Sequence, residues 1–230
     1  MGSHREPVPT PLTVAESQKR TAAEAAARLV SDRTRVGLGT GTTVAYLLPA
    51  LAARGLSLRC FATSPATELA ARELGLAVEE PNALGELDIA IDGADQIDPR
   101  GWLVKGGGGA HTREKIVAAA SERFVVIASA EKAVPSLHPP VPLEILRFGA
   151  DATLASLGKA ALRDAPPSPD GNLIADYLGA VDDPRGLAAW LSGTPGVVEH
   201  GLFAPELVND ILIAGTNGVE HRTLKKGDVP

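Results

Sequence analysis

Between Ile91 and Ile116 the sequence IDGADQIDPRGWLVKGGGGAHTREKI brings two aspartates, a lysine, four glycines and a glutamate into one segment. Asp92 and Asp95 follow an apolar run, Lys105 ends a second, Gly106 to Gly109 come next, and Glu114 stands where a helix begins. Two acids held close together bind protons with different affinities and can divide the steps of a proton transfer. Lys105 enters the same cleft, where its ammonium can stabilise an oxyanion. Glu114 is placed to act as a general base on a carbon-bound proton, with Lys105 and backbone N–H groups holding the enediolate that results.

Each of these residues also has a structural role open to it. Aspartates form turns by bonding backbone N–H groups, a lysine is commonly solvated, and a glutamate in a first helical turn interacts with the helix dipole. The neighbours favour chemistry. Gly93 and Ala94 leave space for a ligand between the acids, and four consecutive glycines, costly in conformational entropy, suit close approach of backbone to ligand. A calcium loop is excluded, because Asp92, Asp95 and Asp98 are spaced by three and lack the alternating ligands of an EF-hand.

A second candidate lies earlier, in Gly39-Thr40-Gly41-Thr42-Thr43. Glycines expose backbone N–H groups to an anion, threonines add hydroxyl donors, and a following helix adds its positive end, which together make a phosphate cradle. A tight turn with a threonine cap is the plainer reading. The loop is neither GxxxxGK[ST] nor a full GxGxxG, and no acid ends the next strand-like run, which argues against ATP and NAD.

These loops need a scaffold. Apolar runs at Arg35–Leu38, Leu56–Phe61 and Leu87–Asp92 alternate with helical patterns, including one at about Val14–Ser31, one that runs to the region of Pro49, Glu68–Leu74 and Thr112–Ala120. That alternation predicts an α/β fold, a Rossmann-like open and mostly parallel sheet flanked by helices, with ligands beyond the carboxyl ends of its strands. Thr63, Ser64 and Thr67 read as helix caps before ligand contacts. Prolines 135, 139, 140 and 142 mark a crossing to a second, smaller α+β unit with one strand over Val197–Phe203, after which Asp210–Ala214 returns to the main sheet before a polar tail. The expected division is residues 12–139 with 206–230 as the α/β catalytic domain and residues 140–205 as a small ferredoxin-like lid and subunit-contact domain. Asp182, Asp183, Glu199 and His200 read as exposed or capping residues, and Arg113 and Lys115 as solvated or paired surface charges.

Composition sets limits. A formal charge of -6 argues against a broad nucleic-acid or anionic-membrane surface, so an anionic ligand must be held locally. The single cysteine, Cys60, excludes an intramolecular disulfide and reads as a small buried residue. No apolar run approaches the roughly 20 residues of a membrane span, and Met1–Pro11 lacks a secretion signal's hydrophobic centre, so a cytoplasmic protein with a mobile lead-in is expected.

In order and spacing, VGLGTGTT (36–43), TSPATELA (63–70), DGADQID (92–98), KGGGGAHTREKI (105–116), IASAEK (127–132) and PGVVEHGLF (195–203) resemble the ribose-5-phosphate isomerase type A family over most of the chain. The resemblance implies interconversion of D-ribose 5-phosphate and D-ribulose 5-phosphate in the non-oxidative pentose phosphate pathway, with neither metal nor organic cofactor. It implies Glu114 as the base moving a proton between C1 and C2, Lys105 as stabiliser of oxygen charge, and Asp92 and Asp95 in ring opening and in moving protons between oxygens. Substrate contacts fall on Thr40, Gly41, Thr42, Thr43, Gly93, Ala94, Gly106, Gly107, Gly108 and Lys132. A homodimer, which can pair into a tetramer, is implied, with no nucleic-acid or membrane partner. Two positions depart from the pattern: Gln96 stands where glutamate is frequent, and His111 where an aliphatic residue is expected. A sugar-phosphate-sensing regulatory domain, and a phosphosugar deaminase or CoA transferase of related fold, are the alternatives.

Overall fold

The alternation of period-2 and helical patterns becomes, in the computed structural model, a main sheet with helices on both faces and a smaller antiparallel sheet beside it. Residues 12–224 are described; Met1–Pro11, read above as a mobile lead-in, lies outside them, as do residues 225–230. In chain order the elements are α1 (Val14–Ala27), β1 (Arg35–Leu38), α2 (Val44–Ala52), β2 (Arg59–Ala62), α3 (Pro65–Glu73), β3 (Leu87–Gly93), β4 (Gln96–Ile97), β5 (Leu103–Val104), α4 (His111–Ala119) and β6 (Ser121–Ser129). They continue as β7 (Val141–Ile145), α5 (Ala150–Leu157), β8 (Ala160–Leu162), β9 (Leu173–Tyr177), α6 (Pro184–Ser192), β10 (Val197–His200), β11 (Leu202–Phe203), β12 (Asp210–Gly215) and β13 (Gly218–Thr223).

The main sheet has the order β13-β12-β6-β3-β1-β2, and every pairing is parallel except that of the β13 edge. Strand residues alternate between its faces. Ile89, Ile91, Val125 and Ile127 pack with Ala22, Ala26, Leu47 and Leu51 of α1 and α2, whereas Ala90, Phe124 and Val126 pack with Val117 and Ala118 of α4. Both faces are covered, which explains the continuous apolar runs; a buried Ile or Val contributes about 1.5–3 kcal/mol. Gly37 sets the seat of α4, because a Cβ there would lie 2.4 Å from the Val117 side chain. The strand order reverses between β1 and β3, since β1 leads out to β2 and the chain then returns to the other side of β1. Ligand crevices form at such switch points.

The second sheet has the order β10-β7-β9-β8 with all neighbours antiparallel, the βαββαβ arrangement of a ferredoxin-like unit. A third, three-stranded sheet, β11-β5-β4, joins the two.

Several boundaries differ from the sequence reading. α2 continues through Pro49 to Ala52, carried by the burial of Leu47, Leu48 and Leu51. The strand expected over Val197–Phe203 is two, divided at Gly201: a Cβ there would lie 2.1 Å from the Lys105 carbonyl oxygen, so the chain passes directly over that backbone and changes sheet. The polar tail includes β13, an edge strand whose mixed exposure hides its periodicity, and β8 lies where no strand was expected. Cys60 is buried, and burial pushes its thiol up to about 12, as a packing residue requires.

Candidate active site

The loops after β1, β3 and β5 converge at the start of α4 around a cleft of about 280 Å³. It is lined by Thr40, Gly41, Thr42, Thr43, Gly93, Ala94, Asp95, Lys105, Gly106, Gly107, Gly108, Glu114 and Lys132. Every residue assigned to the site from sequence is therefore here except Asp92, which lies directly beneath the lining, 3% exposed.

Asp92 reaches the Gly/Thr loop because Gly39 has no side chain; a Cβ there would fall 1.9 Å from the Asp92 carboxyl carbon. Its Oδ1 accepts from the N–H groups of Gly93 at 2.7 Å and Thr40 at 3.1 Å. The turn-forming role thus occupies one carboxylate oxygen and leaves the other to face the cleft's lysine. Its other oxygen lies 2.9 Å from Lys105 Nζ, which also stands 3.1 Å from Glu114 Oε2 and donates to the Gly93 carbonyl at 2.6 Å. Lys105 is held in place by its own N–H, which donates to the Gly201 carbonyl at 2.8 Å.

All three ionisable side chains are 3–4% exposed, so one ammonium faces two carboxylates away from water. Desolvation opposes the charged form of each acid. Burial, with Asp92 reinforcing it and Lys105 opposing it, pushes the Glu114 carboxyl up to about 8. Burial likewise raises Asp92 despite Lys105. Burial opposes the charge on Lys105, but Asp92 and Glu114 outweigh it and keep the ammonium protonated. A carboxyl poised near neutrality beside a fixed cation can take a proton from carbon and return it.

Asp95 lies on the cleft wall, where its Oδ2 accepts from the Gly107 N–H at 2.8 Å. In the Gly/Thr loop, Thr43 occupies the N-cap position of α2 but makes no capping bond through its side chain, so its hydroxyl is not spent on the helix. Thr63 and Ser64 do serve structure: Ser64 caps α3, and Thr63 Oγ1 lies 2.8 Å from Thr40 Oγ1. No group of three or more His, Cys, Asp or Glu placed to hold a metal occurs among the described residues, and no helix among them is long and apolar enough to cross a membrane.

Two cations escaped the sequence reading. Lys19 of α1 lines the cleft and its Nζ donates to Thr42 Oγ1 at 2.9 Å. Arg163, just after β8, donates to the carbonyls of Gly106 and Gly107 at 3.0 and 3.1 Å. Both resemble ordinary surface cations in sequence. Glu199 and His200 also need correction. His200 is buried, and Lys115 Nζ donates to Glu199 Oε1 at 2.6 Å and to the His200 carbonyl at 2.7 Å, joining α4 to β10. Asp183 caps α6 and Arg113 pairs with Asp170, as expected. His111 is fully buried beneath Gly106, and burial holds it neutral, down to about 3. Gln96 donates to the His138 carbonyl at 2.8 Å and accepts its N–H at 2.9 Å, a two-way bond that a glutamate carboxylate could not make.

A larger groove, about 480 Å³, lies on the other side of α4, but the acids that line it are already satisfied: Glu68 pairs with Arg72, Glu79 with Arg59 and Asp170 with Arg113, and the buried Glu144 accepts from Thr112, Ser168 and Asn172 at 2.6, 2.7 and 2.7 Å. In the smaller cleft, by contrast, two buried carboxylates crowd one buried ammonium.

The family model for ribose 5-phosphate isomerase A (phosphoriboisomerase A) matches residues 59–218. The ribose-5-phosphate isomerase A of Caulobacter vibrioides is 45% identical over 221 residues, covering 89% of this chain and 97% of that protein. Its counterpart from Methanosarcina acetivorans is 43% identical over 216 residues, covering 87% and 92%. The crystal structure of ribose 5 phosphate isomerase A from Neisseria gonorrhoeae aligns with a TM-score of 0.88 at 31% identity, over 94% of this chain and 100% of that one. The matches give no support to a sensing domain, a deaminase or a CoA transferase. With likeness over nearly its full length, and with the acids, lysine and glycines of the motifs gathered in one cleft, this chain belongs to the ribose 5-phosphate isomerase A family.

Proposed function

We propose that this aldose-ketose isomerase interconverts D-ribose 5-phosphate and D-ribulose 5-phosphate with Glu114 as the base. In the forward direction Glu114 removes the proton from C2 of the open-chain aldose. The electrons form the C1–C2 double bond and the carbonyl oxygen becomes an oxyanion beside Lys105. Glu114 returns the proton to C1, while Asp92 and Asp95 serve ring opening and the transfer of a proton from the C2 hydroxyl to the C1 oxygen. The phosphate is held by Thr40–Thr43 with Lys19 and Lys132, and the sugar by Gly93, Ala94 and Gly106–Gly108. The observation that carries this reading is Lys105 Nζ at 2.9 Å from Asp92 and 3.1 Å from Glu114, all three buried.

In this reading residues 12–139 and 206–230 form the catalytic domain, and residues 140–205 cover the cleft and build the subunit contact of a cytoplasmic homodimer. Phe148, 92% exposed on the small unit, supports an apolar contact there. No metal or cofactor takes part. The test is conversion of ribose 5-phosphate by the purified protein with EDTA present: turnover is expected undiminished, and Glu114→Gln is expected to lower kcat by about 10²–10⁴-fold with little change in KM. Turnover near the parent value in Glu114→Gln would reject Glu114 as the base.

A further inference from the structure

Arg163 enters the cleft's surroundings from the small unit, 56 and 57 positions along the chain from the two glycines it meets. Its Nη1 donates to the Gly106 carbonyl at 3.0 Å and to the Gly107 carbonyl at 3.1 Å, while its Nε donates to Asp176 Oδ2 of β9 at 2.9 Å. On the far side of the 106–107 peptide, the Gly107 N–H donates to Asp95 Oδ2 at 2.8 Å. In a trans peptide the C=O and N–H point in opposite directions within one plane. Arg163 and Asp95 therefore grip the two ends of a single peptide unit. The same rule applied to the 107–108 peptide turns the Gly108 N–H away from Arg163, and Gly108 lines the cleft.

Glycine makes this grip necessary. Gly106 has φ of +104°, and beyond the turn bond from the Gly109 N–H to the Gly106 carbonyl at 3.0 Å, contacts from outside hold the loop in one of the many conformations that glycine allows. The space at Gly107 is also confined, since a Cβ there would lie 3.0 Å from Asp95 Oδ1. Arg163 presents a planar fork of donors, and Asp176 fixes its orientation.

We propose that Arg163 is a positioning residue of the isomerisation: it sets the 106–107 and 107–108 peptide planes so that Asp95 is held in place and the Gly108 N–H faces the oxygen that becomes negative. This rests on the enediolate reading above. It differs from a structural brace in what it predicts for binding. A group that orients donors toward a developing oxyanion strengthens binding of the transition state more than that of the substrate's phosphate end.

The experiment compares the parent with Arg163→Leu and Asp176→Asn in steady-state turnover, in inhibition by an aldonic acid phosphate, whose carboxylate imitates the enediolate oxygens, and in binding of inorganic phosphate. Arg163→Leu is expected to lower kcat about 10–100-fold with KM within about threefold, as a loosened reacting geometry does. The aldonic acid phosphate should weaken by a similar factor while phosphate affinity stays within about twofold. Asp176→Asn, which keeps the arginine but loosens its orientation, should fall between the two. The proposal is overturned by kcat within twofold of the parent in Arg163→Leu, or by phosphate affinity falling as far as that of the aldonic acid phosphate. Glu114→Gln assayed in parallel separates the readings. If that variant turns over normally the base assignment falls, whereas the ligand-binding contrast in Arg163→Leu still decides the role of the arginine.

Discussion

The two ends of the main sheet each bury an aspartate, and the two are treated in opposite ways. Asp210 opens β12 at the amino end of the parallel strands. It is 3% exposed, and Arg123, His221 and Thr223 satisfy it at 2.7, 2.6 and 3.1 Å. Burial works against its charge, but the bonds from Arg123 and His221 prevail and hold its carboxyl below the usual range. Asp92, near the other end of β3, is buried to the same degree, yet it shares its one cation with Glu114 and its carboxyl is raised. The amino end is a staple. At the carboxyl end two buried carboxylates compete for one buried lysine, and proton affinities near neutrality arise where burial and like charges combine.

The sharpest way to break this comparison is to neutralise each aspartate in turn. Asp92→Asn is expected to lower kcat by about 100-fold, since in the proposed mechanism it removes a group that handles oxygen-bound protons, while melting stays at or above the parent temperature at pH 8 because burial disfavours the charged form of Asp92. Asp210→Asn should leave kcat at 25 °C unchanged and cost about 1–3 kcal/mol of unfolding free energy, the value of hydrogen bonds to a charged partner. Steady-state assays and urea melts on both variants check this. Loss of activity without loss of stability in Asp210→Asn would erase the distinction between the two ends.

Within the carboxyl end, phosphate grip and proton transfer should also separate. Lys19→Gln removes the charge beside Thr42 without touching Lys105 or the acids. KM for ribose 5-phosphate is expected to rise about 10-fold with kcat within twofold, the mark of binding energy common to ground and transition states. A matching fall in kcat would place Lys19 among the groups that act on the reacting carbons.

What the sequence made legible was local. Asp92, Gly93, Ala94 and Asp95 declare a turn beyond a strand, and Lys105, the glycines and Glu114 follow within one loop and one helical turn, so spacing alone brought them to one cleft. The alternation of strands and helices likewise gave the parallel sheet and its ligand-bearing edge. Contacts between distant segments were not legible. Lys19 meets Thr42 across 23 residues and Arg163 meets Gly107 across 56, and each sits among polar residues that look solvated. His200 was misread for the same reason: the Lys115 that meets its carbonyl is 85 positions away. Edge strands such as β13 bury too little to leave a period in the sequence.

The smallest expected effect concerns how the strain at the carboxyl end is felt as pH changes. An unfolded glutamate titrates near 4.3, whereas in the folded protein Glu114 is raised to about 8. Below the unfolded value both states hold the proton and the group contributes nothing to the balance. Between the two values the folded protein retains a proton that the unfolded chain releases, so stability falls as pH rises through this window and levels off above it. Asp210 and Glu199, whose carboxyls are lowered, act in the opposite sense, but their contribution is complete once pH exceeds the ordinary carboxylate range. From pH 5 to 8 the Glu114 term should therefore lower the parent's stability relative to Glu114→Gln by about 2–4 kcal/mol, each kcal/mol amounting to about 2–4 °C in Tm for a chain of this length. His111 and His200, lowered to about 3 and about 4, make stability rise between pH 5 and about 6.5, where only the unfolded chain protonates them, and they do so equally in Glu114→Gln, which cannot titrate at 114; its Tm should therefore climb more steeply with pH than the parent's over the same range. Equal slopes for parent and variant in a melting series from pH 5 to 8 would mean that the carboxyl end of the sheet stores no such tension.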